Sequence, residues 1–417
     1  MKLPFAPSPF CVLLHRALTH SVVLLLACAG LQSQTAKPVS EAQASSPYRP
    51  HDPQSTTGFE HFYNVDYDHA VENFQHVVDK YPDDAFAVNH LLTAVLFREL
   101  YRMGALNTGE YASDSFINAP HHNADPKAKQ QIKQLVDRAL HIEEKLLDAN
   151  ARDVDALYAR GVTRAQFSTY TALIEHAWFS ALRNAVGARH DHEKVLELSP
   201  NYSDAKLVVG AHNYVLGSLP WAVKVSASII GLSGSKDKGL HLLEEAAAAG
   251  GESAVDAKFV LILFYRREHR YGDSLTLVRS LSPVYPQNSL LALEEGNLLR
   301  ALDKPQEAAA VYRRIWQQGR QGHYPGQHYE LAAVSLGDLL RGQKDYAGAA
   351  TAYDQVDDVA QLDPEIKQRA SLASGEMYDQ LRKRDVAMKK YQEVIAVNSG
   401  NEPAETARKR LKEAYKE

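Results

Sequence analysis

Eighteen histidines make metal binding the first chemistry to test in this chain. His61, His69 and His76 gather around Asp66 and Asp68. His121 and His122 stand beside Asp125, and His190 and His192 alternate with Asp191 and Glu193. A metal site on a helix needs donors three or four residues apart, so that both reach one ion. His190 and His192 are two apart and face different ways, and neither H-E-x-x-H nor H-x-x-E-H occurs. Asp66-Tyr67-Asp68 reads instead as the turn before a helix, with Asp66 or Asp68 as its N-cap. No metal and no cofactor is expected.

Nucleophiles are equally scarce. Gly231-Leu-Ser-Gly-Ser235 lacks the second glycine of a nucleophile elbow, and no strand precedes it. Gly234-Ser-Lys-Asp-Lys238 lacks the Gly-Lys-Ser or Gly-Lys-Thr of a phosphate loop. The two cysteines, Cys11 and Cys28, both precede residue 30. The rest of the chain therefore offers no thiolate site, no disulfide and no cysteine nucleophile, which suits an oxidising compartment. No catalytic residue is expected.

Residues 1–29 read as a targeting segment. Lys2 and Arg16 are its charges, Ser21–Ala27 is a short apolar run, and Ala27-Cys28-Ala29 is a small-residue cleavage site. The apolar run is well short of the roughly 20 residues that span a bilayer. Three outcomes remain open: plain cleavage, a lipoprotein on Cys28 of Leu25-Leu-Ala-Cys28, and an uncleaved anchor. Residues 30–56 are rich in Ser, Gln and Pro, and read as a disordered tether. The net charge of −5 comes with no basic stripe, so nucleic acid is not an expected partner.

The elements behind these residues announce themselves through a repeated spacing. From Gly296, offsets of +3, +12 and +16 give Leu299, Ala308 and Tyr312. From Gly337 they give Leu340, Ala349 and Tyr353, and from Gly375 they give Tyr378, Ala387 and Tyr391. A half-copy near the N-terminus keeps Ala70, Phe74, Val77 and Pro82. A glycine or alanine lets two helices cross closely, and an aromatic plugs the space beside it. The pattern resembles the tetratricopeptide repeat. That resemblance implies an all-α, right-handed superhelical solenoid of about eight to ten hairpins that binds proteins or peptides on its concave face. The glycines are 41 and 38 residues apart rather than the 34 of a minimal repeat, so longer helices or loops are expected.

Apolar periodicity places helices over 70–80, 90–101, 127–149 and 153–183, with 104–126 a long connection. Irregular hairpins are expected over 57–250, and regular repeats over 251–417 with a charged C-terminal cap at 406–416. The break at Pro220-Trp221, the turn Gly231-Leu-Ser-Gly234 and the helix from Gly239-Leu240 resemble a segment of the inclusion-body clearance family of tetratricopeptide proteins.

Tyr170, Trp178 and Trp221 lie in the irregular middle as candidate groove anchors, with Phe179 beside them. Lys206, Asn213 and Asn297 are candidate peptide-binding positions on first helices. The sequence thus predicts a non-enzymatic scaffold outside the bacterial cytoplasm, periplasmic or outer-membrane associated or secreted. Its partner is a protein or peptide, and the lipoprotein and anchor outcomes would attach it to a membrane through the N-terminus. Two alternatives stay open: an assembly factor for an outer-membrane or secreted complex, and a hydrolase or metal-dependent enzyme seated in 104–250.

Overall fold

In the three C-terminal copies of the spacing, the glycine and its aromatic meet face to face. A Cβ added to Gly296 would stand 2.4 Å from the ring of Tyr312; at Gly337 the distance to Tyr353 is 2.4 Å, and at Gly375 it is 2.7 Å to Tyr391. All three rings are buried, as are Ala308, Ala349 and Ala387. The N-terminal half-copy is completed by Gly58, whose added Cβ would lie 2.6 Å from Phe74 beside buried Ala70. Gly58 precedes Phe74 by the same sixteen residues and Ala70 by the same twelve, so the half-copy is a full one.

The chain, described in a computed structural model over residues 46–106, 123–219, 224, 232–360 and 362–417, is all-α: among these residues there are helices and no strand. The expected signal segment, Cys28, residues 30–45 of the tether, His121, His122, Pro220, Trp221 and Gly231 lie outside the described residues. The chain divides into two compact units, Met1–Leu277 and Val278–Glu417.

The first unit contains α1 (Pro53–Tyr63), α2 (Tyr67–Lys80), α3 (Ala85–Arg102), α4 (Pro126–Ala149), α5 (Val154–Leu173), α6 (Trp178–Leu198), α7 (Lys206–Ser218), α8 (Lys236–Ala249) and α9 (Ala254–Arg267). Helix α10 (Tyr271–Leu281) crosses the division. In the second unit lie α11 (Ser289–Ala301), α12 (Pro305–Arg320), α13 (Leu331–Gly342), α14 (Tyr346–Asp354), α15 (Pro364–Gln380), α16 (Arg384–Val397) and α17 (Glu402–Lys412). Read in pairs, α1 to α16 make eight hairpins, and α17 covers the end of the last one. There Arg384 donates to the carbonyls of Arg410 and Leu411.

Five of the hairpins share one turn. A residue in the left-handed region (Val65, His269, Asp303, Lys344 or Arg382) follows the first helix. The next N–H then returns to a carbonyl five residues back: Asp66 to His61, Arg270 to Tyr265, Lys304 to Leu299, Asp345 to Leu340 and Lys383 to Tyr378. This closes the free carbonyls of the helix end. In the Gly296, Gly337 and Gly375 copies the accepting carbonyl belongs to the +3 residue, Leu299, Leu340 or Tyr378.

Two expectations need correction. The helix expected over 153–183 is two helices, broken at residues 174–177, where His176 takes φ 52°. The tether expected to reach residue 56 stops earlier, because residues 46–56 are packed. Tyr48 is buried with its ring 4.1 Å from Phe59, and Asp52 caps α1 by accepting from the Gln54 N–H. Low aliphatic content hid this, since the buried residues of the segment are one aromatic, Tyr48, and the polar Ser46, Asp52 and Ser55.

Where α3, α4 and α5 meet, Glu143 is fully buried. Its Oε1 accepts from the Thr163 hydroxyl at 2.6 Å and the Asn89 amide at 3.3 Å. Burial outweighs these bonds and pushes its carboxyl up from 4.5 to about 7. A folded value above the unfolded one gives stability that is full below pH 4.5 and lost as pH rises through about 7. Glu143→Gln is therefore expected to keep, at pH 8, about 3 kcal/mol that the native chain loses between those pH values. Urea unfolding at pH 5 and pH 8 checks this, and an equal pH dependence in both proteins would refute it.

Candidate functional site

Arg49 organises the most elaborate polar site of the first unit. Its Nη1 lies 2.6 Å from Asp155 Oδ1 and its Nε 2.8 Å from Glu252 Oε1, while Nη2 donates to Tyr202 Oη at 2.6 Å. The guanidinium also stacks over the Phe86 ring at 4.0 Å. Tyr202 completes the circuit by donating to Asp155 at 3.1 Å. One side chain of the N-terminal segment thus ties together α3, the start of α5, the residues before α7 and the loop between α8 and α9.

The local backbone builds this seat. Gly250, with φ 69°, ends α8, and Gly251 lies so close to Asp204 that an added Cβ would stand 2.4 Å from its carboxylate. Asp204 accepts from the Ser253 N–H at 2.8 Å and the Ser253 hydroxyl at 3.1 Å, which fixes the loop presenting Glu252. Beside it opens a cleft of about 350 Å³ lined by Pro47, Arg49, His51, Tyr202, Asp204 and Glu252.

Electrostatics follow the geometry. Burial disfavours charge on both Arg49 and Glu252. The hydrogen bond and charge of Glu252 outweigh it at Arg49, which is held well above the ordinary arginine value. At Glu252 burial wins and raises the carboxyl, although Arg49 opposes it. Burial likewise raises the Tyr202 hydroxyl. The arrangement grips a guanidinium presented by a non-helical stretch of chain.

Four of the expected groove residues are committed elsewhere. Tyr170 is buried in α5 and donates its hydroxyl to Glu175, which also pairs with Lys129 and Lys133. Asn213 is buried in α7, with its amide donating to the Val209 carbonyl at 2.8 Å. Lys206 pairs with Glu245 of α8 at 3.1 Å. Asn297, in the second unit, accepts from the Tyr312 hydroxyl at 2.8 Å and so serves hairpin packing. Spacing along a helix reveals a periodicity but not which face meets the next helix. Trp178 is only half-buried at the start of α6, and its neighbour Phe179 is 81% exposed. Trp221 lies outside the described residues.

Within 123–219, where an enzyme site had been an alternative, the buried acids have structural partners. Asp191 binds Arg160 at 2.7 Å and Arg164 at 2.6 Å, and Glu143 is bound by Thr163. Reading the sequence missed Arg49 altogether, since it falls in the segment taken as a tether. The signal was present in Tyr48-Arg-Pro50 followed by Asp52-Pro53, an aromatic anchor next to a helix start. Of the histidine groups, only His61, Asp66 and His69 bring three donor atoms within 4.8 Å of one another among the described residues, and His76 stays outside that group.

Residues 164–324, less than half of the chain, match the Iml2/Tetratricopeptide repeat protein 39 family model. No curated protein matches the chain. Among solved structures, the chain is similar to PilF of Pseudomonas aeruginosa at 16% identity and a TM-score of 0.37, over 63% of this chain and 100% of that one. It is similar to a chain of the APC/C hetero-tetramer Cut9–Hcn1 at 14% identity and a TM-score of 0.43, over 86% of this chain and 55% of that one. A tetratricopeptide repeat protein of Parabacteroides merdae is similar at 13% identity and a TM-score of 0.32, over 77% of this chain and 97% of that one. Residues 164–324 thus carry an Iml2-like segment, within an all-α chain whose hairpins pair a glycine with an aromatic and share one turn.

Proposed function

We propose that this tetratricopeptide-type chain is a non-enzymatic protein-binding scaffold that works outside the cytoplasm of a bacterium. The observation that carries the binding role is the seat of residues 46–52. There the repeat unit already holds an irregular stretch of polypeptide through an arginine anchor, with cation–π, ion-pair and hydroxyl contacts on one side chain. A surface that holds its own chain in this way has the chemistry to hold another protein's. The second contact is the exposed Phe179 beside Trp178, since aromatics at a surface concentrate binding energy. Location outside the cytoplasm rests on the charged, apolar and small-residue succession of residues 1–29. Lipid attachment through Cys28 would hold the scaffold at a membrane, where the role of an assembly factor for an envelope complex also fits.

The test is recovery of the tagged chain from fractionated bacterial cells, with intact-mass analysis. A start after Ala29, or a heavier detergent-requiring form starting at Cys28, supports export; an uncut chain in the cytosol overturns it. A co-purifying protein whose affinity falls about thirtyfold or more on a Trp178→Ala, Phe179→Ala double change supports the docking role, as for a hot-spot pair of about 2 kcal/mol or more. Full recovery with that variant would remove these aromatics from the binding surface.

A further inference from the structure

We infer that His61, Asp66 and His69 form a binding site for one divalent transition-metal ion on the first hairpin. His61 is in the last turn of α1, Asp66 stands just before α2, and His69 is in the first turn of α2. The Nδ1 atoms of both histidines turn onto the same carboxylate, each 2.8 Å from Asp66 Oδ2. Their rings lie 5.1 Å apart and 34° from parallel.

Asp66 behaves unlike the aspartates at other helix N-termini. It occupies the N-cap position of α2 but makes no capping hydrogen bond. Asp345, the equivalent residue of a later hairpin, caps the Gly348 N–H at 2.9 Å; Asp84 and Asp153 cap Ala87 and Ala156 in the same manner. A cap of this kind contributes about 1 kcal/mol, so turning the carboxylate away forgoes a stabilising contact. The turn itself runs through Val65 at φ 65°, a conformation disfavoured for a β-branched residue. Asp68 is not a fourth donor, because its carboxylate faces Arg98 at 3.2 Å.

Two imidazole nitrogens and one carboxylate oxygen are a donor set suited to zinc or a similar ion, and less to magnesium or calcium. Bonds of about 2.0–2.1 Å to a tetrahedral ion set donors about 3.3 Å apart, so the present contacts must open by about half an ångström. The side chains of His61, Asp66 and His69 are 35%, 34% and 63% exposed and can move without disturbing the core. Moving each ring proton to Nε2 frees the Nδ1 lone pair, and water fills the outward position.

The probe is zinc chloride, titrated by calorimetry into the tag-free full chain, with melting temperature as a second reading. We expect one saturable equivalent, a higher Tm with zinc, and no competition from magnesium. His61→Ala and His69→Ala are each expected to weaken binding by at least about tenfold, since changes even to residues supporting metal ligands cost that much. His76→Ala, at an exposed histidine two helical turns beyond His69, should bind as the native chain does. No saturable binding, unchanged affinity in the His61 and His69 variants, or an equal loss in the His76 variant would each overturn the assignment.

Discussion

Gly337→Leu is expected to destabilise the Val278–Glu417 unit by about 3 kcal/mol or more, the upper range of overpacking in a closed core. The first added carbon already falls 2.4 Å from Tyr353 Cε1. The ring has little freedom to retreat, being buried and held by its hydroxyl to Asp338 at 2.7 Å. Even Gly337→Ala should be net destabilising, although alanine gains about 1 kcal/mol of helix propensity over glycine. Gly375→Leu follows the same logic with a slightly looser contact of 2.7 Å to Tyr391. Hydrogen exchange should show opening first in α13–α16, because a repeat leans mainly on its neighbours. Native melting curves for both leucine variants would show that these glycines do not mark tight helix contacts.

Arg49→Ala is expected to lower the stability of the first unit by about 3 kcal/mol, because breaking a buried ion pair strands the remaining charge. That charge is Glu252, whose side chain is 7% exposed. Asp155 contributes little to the loss, since its side chain is 60% exposed and water replaces the arginine there. Arg49→Lys should recover only part, because a point charge cannot serve Glu252, Asp155 and Tyr202 at once while stacking on Phe86. Glu252→Gln in the Arg49→Ala background should restore stability by neutralising the stranded carboxylate. Thermal unfolding of the four proteins decides the matter: equal midpoints for the native and Arg49→Ala chains would mean the 46–52 segment is not held by this anchor.

The hairpins were legible from the sequence because their contacts are local. Gly337 meets Tyr353 and Gly375 meets Tyr391 sixteen residues apart across one turn, so the requirement for a small residue facing a large one is written as a fixed offset. Helical class followed from apolar period, and the C-terminal copies followed from the offset. What lay beyond one hairpin was not encoded this way. Arg49 meets Asp155, Tyr202 and Glu252 at separations of 106, 153 and 203 residues, and no local pattern announces such a partner. Tyr170, Asn213 and Asn297 were placed on plausible helices, but the rotation of each helix against its neighbours decided that they serve packing. His61, Asp66 and His69 sit five and three residues apart, a spacing that a continuous helix would not focus on one point. The sequence by itself determined the helices and the close pairs within a hairpin, because both depend on short-range periodicity and volume. Only the tertiary structure decided which side chains became sites, because that depends on helix rotation, on a left-handed turn at Val65 and on contacts between segments far apart in the chain.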